Sequence, residues 1–370
     1  MIFKAWNLII SHKPIRPFTD SSHLHYMITT MVHPDFRRFT CLLVLVATIS
    51  VSSLPLLRGQ AQQSAESIAK PRASLERLRK LSEVVPAERL IKAGGLQTYY
   101  VQSGQVGPQI LLLHGFGSST FTWRKNLVEL GKIGRVTAID IKGFGLTEKP
   151  KDGQYNEFAY VKHVLDTMDA LGLQRPLIIG NSMGGAVAAR LALEHPGRCS
   201  GLILVDAARP YTRLDFAASG VDTTKFKGRP SVLATALVRT MISRDRIKGM
   251  LESVYEGHEP VTDAMIDAYY IPTTIEGAPE ALLSMINPPA DPSRPIPLKE
   301  LKCPVTIVWG KDDNVIPVRA GESLAREIPG SELVIWAGAG HLPQEDRPEE
   351  FHRLVRDFVG KHLGLRPGQN

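Results

Sequence analysis

Six short apolar segments constrain the fold of this chain more than any other feature. Because they are apolar on both faces and do not alternate, they are typical of a parallel sheet covered by helices on each side. Helical patterns lie between several of them, notably NEFAYVKHVLDTMDALGL and PVRAGESLAREIP. The alternation predicts an α/β domain with a mostly parallel sheet and helices on both faces. The six segments, each closed by glycine, serine or an acid, are QILLLHG (109–115), RVTAID (135–140), PLIIGNS (176–182), GLILVD (201–206), VTIVWG (305–310) and ELVIWAG (332–338).

The domain that contains this sheet is predicted to span residues 87–365. It begins with two short segments, ERLIKAGG and LQTYYVQSG, that suit a hairpin and supply the first two strands. The interval of about 210–297, after the sixth strand, is too long for a simple connection and holds helix-like stretches. We expect it to form a helical lid over the sheet; a separately folding domain is the alternative.

Residues 1–61 are predicted to form an N-terminal extension that serves export and is not part of the folded domain. Residues 1–61 hold six Lys or Arg and two Asp, a net charge of +4, and an apolar run at 39–57 precedes small residues suited to a cleavage site. This layout predicts a secretory signal and an exported protein. The alternative is a membrane anchor, with membrane association through residues 41–57. Residues 62–86 read as a linker followed by an amphipathic helix.

Charge and cysteine usage exclude several classes of partner. Of the net charge of +7, only +3 belongs to the chain after residue 61, without a basic stripe, so we expect no nucleic-acid partner. Neither C-x-x-C nor H-E-x-x-H occurs, and we expect no metal site. Cys199 and Cys303 follow the signal. A disulfide between them is permitted in an exported protein, and two buried thiols are the other interpretation.

The stretch Gly180-Asn181-Ser182-Met183-Gly184 places a serine between a strand and a helix. Small residues on either side let the backbone make a tight turn that lifts the hydroxyl above the carboxyl edge of the sheet. We interpret Ser182 as a nucleophile; a purely structural turn is the alternative.

A serine nucleophile needs a base, an acid and oxyanion donors. His341 follows the last strand in a glycine-rich loop and is the candidate base. The backbone N–H groups of Phe116 and Met183 are the candidate donors, whereas His114 is expected to be a structural hydrogen-bonding residue. The candidate acids are Asp206, Asp312 and Asp313.

Five stretches of the sequence carry a resemblance to a known family: HGFGSSTFTW, IDIKGFGLT, GNSMGGAVAARLALEHP, VTIVWGKDDNVIP and GAGHLPQEDRPEEF. Together they resemble the α/β-hydrolase superfamily, in its serine-nucleophile, lid-containing esterase or lipase-like branch. The resemblance implies an eight-stranded sheet with the second strand antiparallel, a lid after the sixth strand and no cofactor. It assigns the triad to Ser182, Asp313 and His341, with Phe116 and Met183 as the oxyanion hole.

The reaction expected from this resemblance is hydrolysis of a small-molecule acyl ester through an acyl-enzyme. Haloalkane dehalogenases and epoxide hydrolases carry an aspartate where Ser182 stands, which disfavours both reactions. The alternatives are a carbon–carbon bond hydrolase of ring-cleavage products, a cofactor-free haloperoxidase-like enzyme and a non-catalytic binding protein. For the residues proposed to line an acyl pocket, ordinary core packing is the alternative; they are Trp123, Phe144, Tyr211 and Phe216.

Overall fold

A computed structural model describes most of the predicted domain. Among the described residues, no helix is both long and apolar enough to cross a membrane. The predicted extension at 1–61, the linker and helix at 62–86, Tyr211 and Phe216 lie outside the described residues. The described residues are 88–210, 235, 238–239, 242–255, 260–286 and 297–364.

The strands form one eight-stranded sheet in the order β1-β2-β4-β3-β5-β6-β7-β8. Strand β2 is antiparallel to both of its neighbours, and the pairings from β4 to β8 are parallel. The predicted fold class and the antiparallel second strand are confirmed. The strands are β1 (Glu88–Ala93), β2 (Leu96–Ser103), β3 (Gln109–Leu113), β4 (Arg135–Ile139), β5 (Leu177–Asn181), β6 (Gly201–Val205), β7 (Val305–Gly310) and β8 (Glu332–Trp336).

The predicted hairpin joins β1 to β2 through Gly94 and Gly95. Their φ angles are +55° and +95°. A two-residue turn of this kind needs positive φ at both central positions, where glycine has no Cβ to collide with the backbone. The two glycines therefore set the register in which Ala93 pairs with Leu96.

Helices cover both faces of the sheet. Side chains of α2, α3 and α7 share one apolar cluster with Leu111 and Leu113, whereas α1 and α9 share another with Ile110 and Leu112. Successive side chains of β3 therefore point to opposite faces of the sheet. Because both faces are buried, the residues from Ile110 to Leu113 are all apolar. The helices are α1 (Leu127–Gly131), α2 (Glu157–Ala170), α3 (Met183–Glu194), α4 (Arg244–Tyr255), α5 (Asp263–Tyr270), α6 (Ala278–Ile286), α7 (Arg319–Glu327), α8 (Pro343–Asp346) and α9 (Pro348–Leu363).

The segment between β6 and β7 contains α4, α5 and α6. Tyr255 of α4 and Tyr269 of α5 are buried in a third apolar cluster that includes Leu342, the residue after His341. Met285 of α6 joins the main cluster on one face of the sheet. These helices thus bury apolar surface against the rest of the domain, close to the loop that holds His341. Their function as a lid stays a prediction.

Candidate active site

The carboxyl ends of the parallel strands bring the predicted site residues to one edge of the sheet. Leu113 of β3 pairs with Gly180 of β5, and Asn181 of β5 pairs with Val205 of β6. Because parallel strands in register end together, the residues that follow them lie side by side. Those residues are Phe116 after β3, Ser182 after β5, Asp206 after β6, Asp313 after β7 and His341 after β8.

Ser182 occupies a strained turn between β5 and α3. Its φ is +52°, an unusual value for a residue with a Cβ, and its N–H donates to the carbonyl of Val205 at 2.9 Å. A Cβ at Gly180 would collide with the backbone of Gly184, and one at Gly184 would collide with the carbonyl oxygen of Leu113. The flanking glycines are therefore required by close backbone approach, as the sequence predicted. Strain of this kind clusters at functional sites.

His341 and Asp313 form a buried pair. The distance between His341 Nδ1 and Asp313 Oδ2 is 2.8 Å, and the two residues are 6% and 5% exposed. Asp313 Oδ1 accepts hydrogen bonds from the N–H groups of Val315 at 2.7 Å and Ile316 at 2.9 Å. Burial favours a higher pKa for Asp313, but the hydrogen bond to His341, the charge of His341 and the hydrogen bonds to Asp206 and Ile316 together outweigh burial, so the pKa is lowered. An ionised Asp313 can only accept, so the proton of this hydrogen bond belongs to His341 Nδ1.

The other two candidate acids have different environments. Asp312 is exposed, and its Oδ2 accepts from the N–H of Gly338 at 2.9 Å. Asp206 is fully buried. One oxygen of Asp206, one of Asp313 and one ring nitrogen of His341 all lie within 4.8 Å of one another. Two carboxyl groups are thus close to His341, and Asp313 makes the hydrogen bond to its Nδ1.

Phe116 and Met183, the candidate oxyanion donors, belong to two segments close to Ser182. Phe116 lies in a turn closed by a 3.3 Å hydrogen bond from Ser118 N–H to the carbonyl of Gly115. A Cβ at Gly115 would lie 3.1 Å from Ser182 Cβ, so this turn is against the serine. Met183 begins α3, where the N–H has no intrahelical acceptor. In the described part of the chain, neither the Phe116 nor the Met183 N–H donates to another backbone group.

His114 is a buried structural residue, as its position in the sequence indicated. Its Nε2 accepts from the N–H of Ile141 at 3.0 Å, and its Nδ1 lies 2.7 Å from the carbonyl oxygen of Gly115. Burial is the main reason why the pKa of His114 falls to about 4. A neutral ring therefore joins the ends of β3 and β4.

The two described aromatic residues of the predicted pocket occupy different places. Phe144 packs edge-on against Phe116, with ring centroids 5.5 Å apart, and shares a cluster with Met183 and Met285. Trp123 is fully buried in the cluster on the other face of the sheet, where its ring lies 6.2 Å from that of Phe351. The structure places Phe144 against Phe116, in the turn at residues 115–118 that we call the oxyanion loop. Trp123 instead has the surroundings of a core residue, as in the core-packing alternative.

Asn181 is a site residue to which sequence reasoning assigned no function. Its Nδ2 lies 3.2 Å from the carbonyl oxygens of both Val205 and His341. Asn181 thus links the turn at Ser182 (the serine turn) to residues 337–342 between β8 and α8, which contain His341 (the histidine loop). The sequence did contain a signal for this function, because a polar amide at the end of a buried central strand must find hydrogen-bond partners.

Glu345 is a second buried polar residue near the site to which the sequence analysis assigned no function. It is fully buried, accepts from Thr122 Oγ1 at 2.7 Å and from the Tyr255 hydroxyl at 2.8 Å, and pairs with Arg124. Burial raises its pKa above the ordinary value. Glu345 joins the histidine loop to the segment after β3 and to α4. Partners so distant along the chain give no local sequence signal.

Cys199 and Cys303 are separate thiols in this structure. Cys199 is buried, Cys303 is half-buried, and their sulfur atoms are 4.0 Å apart. Of the two interpretations left open by the sequence, the structure shows the unpaired one.

Comparison with known proteins identifies the family. The profile described as alpha/beta hydrolase fold matches residues 108–348. The 2-hydroxy-6-oxo-2,4-heptadienoate hydrolase of Pseudomonas putida is 30% identical over 280 residues, which cover 73% of this chain and 95% of that protein.

Two solved structures are similar as well. A meta-cleavage product hydrolase of Pseudomonas fluorescens is 26% identical, with a TM-score of 0.60 and coverage of 74% of this chain and 97% of that one. The enol-lactonase of Burkholderia xenovorans is 25% identical, with a TM-score of 0.59 and coverage of 74% and 100%. With its eight-stranded sheet and the sequence matches above, the chain belongs to the alpha/beta hydrolase fold family and is a hydrolase.

Proposed function

We propose that the protein is a serine hydrolase that cleaves a carbon–carbon bond next to a ketone in a 2-hydroxy-6-oxo-dienoate. The main support for a serine mechanism is the 2.8 Å hydrogen bond between His341 and Asp313. It lies at the same edge of the sheet as Ser182, which occupies a strained turn. The similarity to the P. putida and P. fluorescens hydrolases supports this substrate class over a simple ester.

In the proposed first step, His341 Nε2 takes the proton of the Ser182 hydroxyl while Ser182 Oγ attacks the ketone carbon. Asp313 holds the ring in the tautomer that leaves Nε2 free and stabilises the positive charge that develops on it. The backbone contacts of Val315 and Ile316 hold the carboxylate in place.

The N–H groups of Phe116 and Met183 are the proposed oxyanion donors. Their lack of backbone acceptors and their position on either side of Ser182 support this assignment. Loss of one such donor costs ~3 kcal/mol of transition-state stabilisation in well-studied hydrolases. Because both donors belong to the backbone, side-chain truncation leaves them in place.

Cleavage requires the 2-oxo tautomer of the substrate, in which the proton of the 2-hydroxyl group has moved to C5 and the C3–C4 double bond is conjugated with the 2-oxo group. In the next step, the bond between C5 and the former ketone carbon C6 breaks, and its electron pair is delocalised through this double bond onto the 2-oxo oxygen. The proton on His341 passes to this leaving group. Water activated by His341 then attacks the acyl-enzyme, releases the acid and returns the proton to Ser182. The leaving carbanion is acceptable because conjugation delocalises its charge, whereas an unconjugated ketone lacks that stabilisation.

Hydrolysis of an ester or lactone is the second candidate. The same nucleophile, base and donors serve it, and the leaving group is an alkoxide or enolate oxygen. The observation that favours it is the similarity to the B. xenovorans enol-lactonase. We propose that Phe144 contributes to the substrate pocket of either reaction, since it contacts Phe116.

Parallel assays of the purified protein test the proposal. The substrates are 2-hydroxy-6-oxo-2,4-heptadienoate, followed by loss of its dienolate absorbance, and p-nitrophenyl esters and an enol lactone. We expect the highest kcat/KM for the dienoate and no turnover by Ser182→Ala.

A preference for an ester or lactone by more than about tenfold, ~1.4 kcal/mol of transition-state stabilisation, would reject carbon–carbon hydrolysis in favour of the second candidate. Full activity of a folded Ser182→Ala would reject the serine mechanism itself.

A further inference from the structure

A second buried carboxyl group lies beside the His341–Asp313 pair. Asp206 follows β6, is fully buried and has a φ of +42°. Its N–H donates to the carbonyl of Val308 at 2.9 Å, and its carboxyl oxygens lie 3.1 and 3.4 Å from the N–H of Gly310. The proposed mechanism gives this carboxyl group no function.

The hydrogen bonds decide which of the two carboxyl groups carries the negative charge. Asp313 accepts from two backbone N–H groups and from His341, whereas within the described residues the Asp206 carboxyl accepts from one backbone N–H, that of Gly310. Two adjacent buried carboxyl groups cannot both ionise without a large repulsion. Asp313, whose carboxyl group accepts more hydrogen bonds, is therefore the one expected to be the anion, and Asp206 the one expected to keep its proton.

Burial and the neighbouring charges also favour the neutral form of Asp206. Burial is the largest influence that raises the pKa of Asp206 well above its usual range, and the charges of Asp313 and Asp346 raise it further. Within the described residues, the charged and titratable groups near Asp206 are the carboxyl groups of Asp313 and Asp346 and the imidazole of His341, one ring nitrogen of which lies within 4.8 Å of an oxygen of Asp206 and an oxygen of Asp313.

We propose that Asp206 is a neutral carboxylic acid that donates a hydrogen bond to Asp313 and positions Asp313 toward His341. The N–H of Gly310 in β7 holds the Asp206 carboxyl group, and one oxygen of Asp206 lies within 4.8 Å of one oxygen of Asp313. The proton stays on Asp206 throughout turnover. Asp206 is a positioning residue, and this inference rests on the proposed function of Asp313 in orienting His341.

Substitution of Asp206 by Asn is the conservative test. Asparagine cannot ionise, tolerates positive φ and matches the shape of aspartate. Its Oδ1 can accept from Gly310 and its Nδ2 can donate to Asp313, which reproduces the proposed hydrogen bonds. We expect Asp206→Asn to keep kcat and the pH profile of kcat/KM close to those of the wild type.

Substitution by Gly removes the carboxyl group without straining the backbone, since glycine adopts positive φ freely. Without the donor, the negative charge of Asp313 is less delocalised and stabilises the protonated form of His341 more strongly. We expect the acid limb of the kcat/KM profile to move to higher pH by about one unit, equivalent to ~1.4 kcal/mol, and kcat to fall. The matched control is Asp312→Gly, in the exposed acid next to Asp313, which should leave the acid limb in place.

An infrared difference spectrum tests the protonation state without any substrate. The wild type minus Asp206→Asn at neutral pH should show the C=O stretch of a buried, protonated carboxylic acid. Because this signal does not depend on turnover, it separates failure of this inference from failure of the proposed function. The spectrum also shows whether Asp206 is protonated if Asp206→Gly does not fold.

Three outcomes would overturn the proposal. A carboxylate band in place of the acid band would show that Asp206 is ionised. A loss of kcat in folded Asp206→Asn of the order of ~10⁴ would make Asp206 itself the acid of the triad. An unchanged acid limb in folded Asp206→Gly would show that Asp206 does not act on His341 through Asp313.

Discussion

Ser182 and Asp206 occupy equivalent positions at the ends of adjacent strands β5 and β6. The residues before them, Asn181 and Val205, are paired in the sheet, and the Ser182 N–H donates to the Val205 carbonyl at 2.9 Å. Within the described part of the chain, Ser182 and Asp206 are the two non-glycine residues with positive φ. The fold therefore bends the backbone sharply at two neighbouring strand ends, once to present a hydroxyl and once to bury a carboxyl group.

Asp313→Asn should abolish most of the activity without unfolding the protein. An amide can donate to His341 Nδ1 and so stabilise the tautomer whose Nε2 is protonated and cannot act as a base. We expect kcat to fall by up to ~10⁴, measured on the best substrate at matched folding by circular dichroism. Asp312→Asn, at the neighbouring exposed acid, is the control and should behave like the wild type. A fall of less than about tenfold, ~1.4 kcal/mol, in Asp313→Asn would contradict the assignment.

Asp206 should make the stability of the protein depend on pH. Burial raises the folded-state pKa of Asp206 above its ordinary value of 3.8, so the folded protein holds a proton that the unfolded chain releases. From about pH 4 upward the wild type therefore loses stability by up to ~1.4 kcal/mol per pH unit until the folded-state pKa is reached.

The Asp206→Asn variant has no titrating proton at this position, so its stability should not fall with rising pH for this reason. The free energy of unfolding of the variant minus that of the wild type should become more positive as the pH rises from about 4. Urea denaturation at several pH values measures this difference. A difference that stays constant with pH would mean that the pKa of Asp206 is not raised.

Tyr255→Phe should destabilise the contact between α4 and the histidine loop. The Tyr255 hydroxyl donates to Glu345 at 2.8 Å, and both residues are fully buried. Loss of a donor to a buried carboxyl group typically costs ~1–3 kcal/mol, which urea denaturation can measure. Tyr270→Phe, at the half-buried end of α5, is the matched control and should have a small effect. Equal stability of Tyr255→Phe and the wild type would show that this hydrogen bond contributes nothing.

Cys303 should react with Ellman's reagent before Cys199 does. Cys303 is half-buried, and the hydrogen bond from Cys199 lowers its pKa, whereas the same contact and burial raise the pKa of Cys199. In a Cys41→Ser background, Cys303→Ser should remove the fast phase of labelling and Cys199→Ser should retain it. Two thiols unreactive even after denaturation would instead indicate a disulfide.

The sequence by itself determined the sheet and the serine turn, because both depend on short-range physical chemistry. Continuous apolar runs bury both faces of a strand wherever they occur, and Gly180 and Gly184 mark a bend that larger residues would block. Similar reasoning placed His341 after the last strand and identified His114 as structural.

Only the tertiary structure decided which acid meets His341 and which aromatic residue meets the oxyanion loop. Asp206, Asp312 and Asp313 all follow strands, and the resemblance to known hydrolases favoured Asp313; the hydrogen bond depends on how the loops after β7 and β8 pack together. Trp123 and Phe144 differ in the face of the sheet to which their loops return. These outcomes depend on contacts between segments far apart in the chain, which no local pattern encodes.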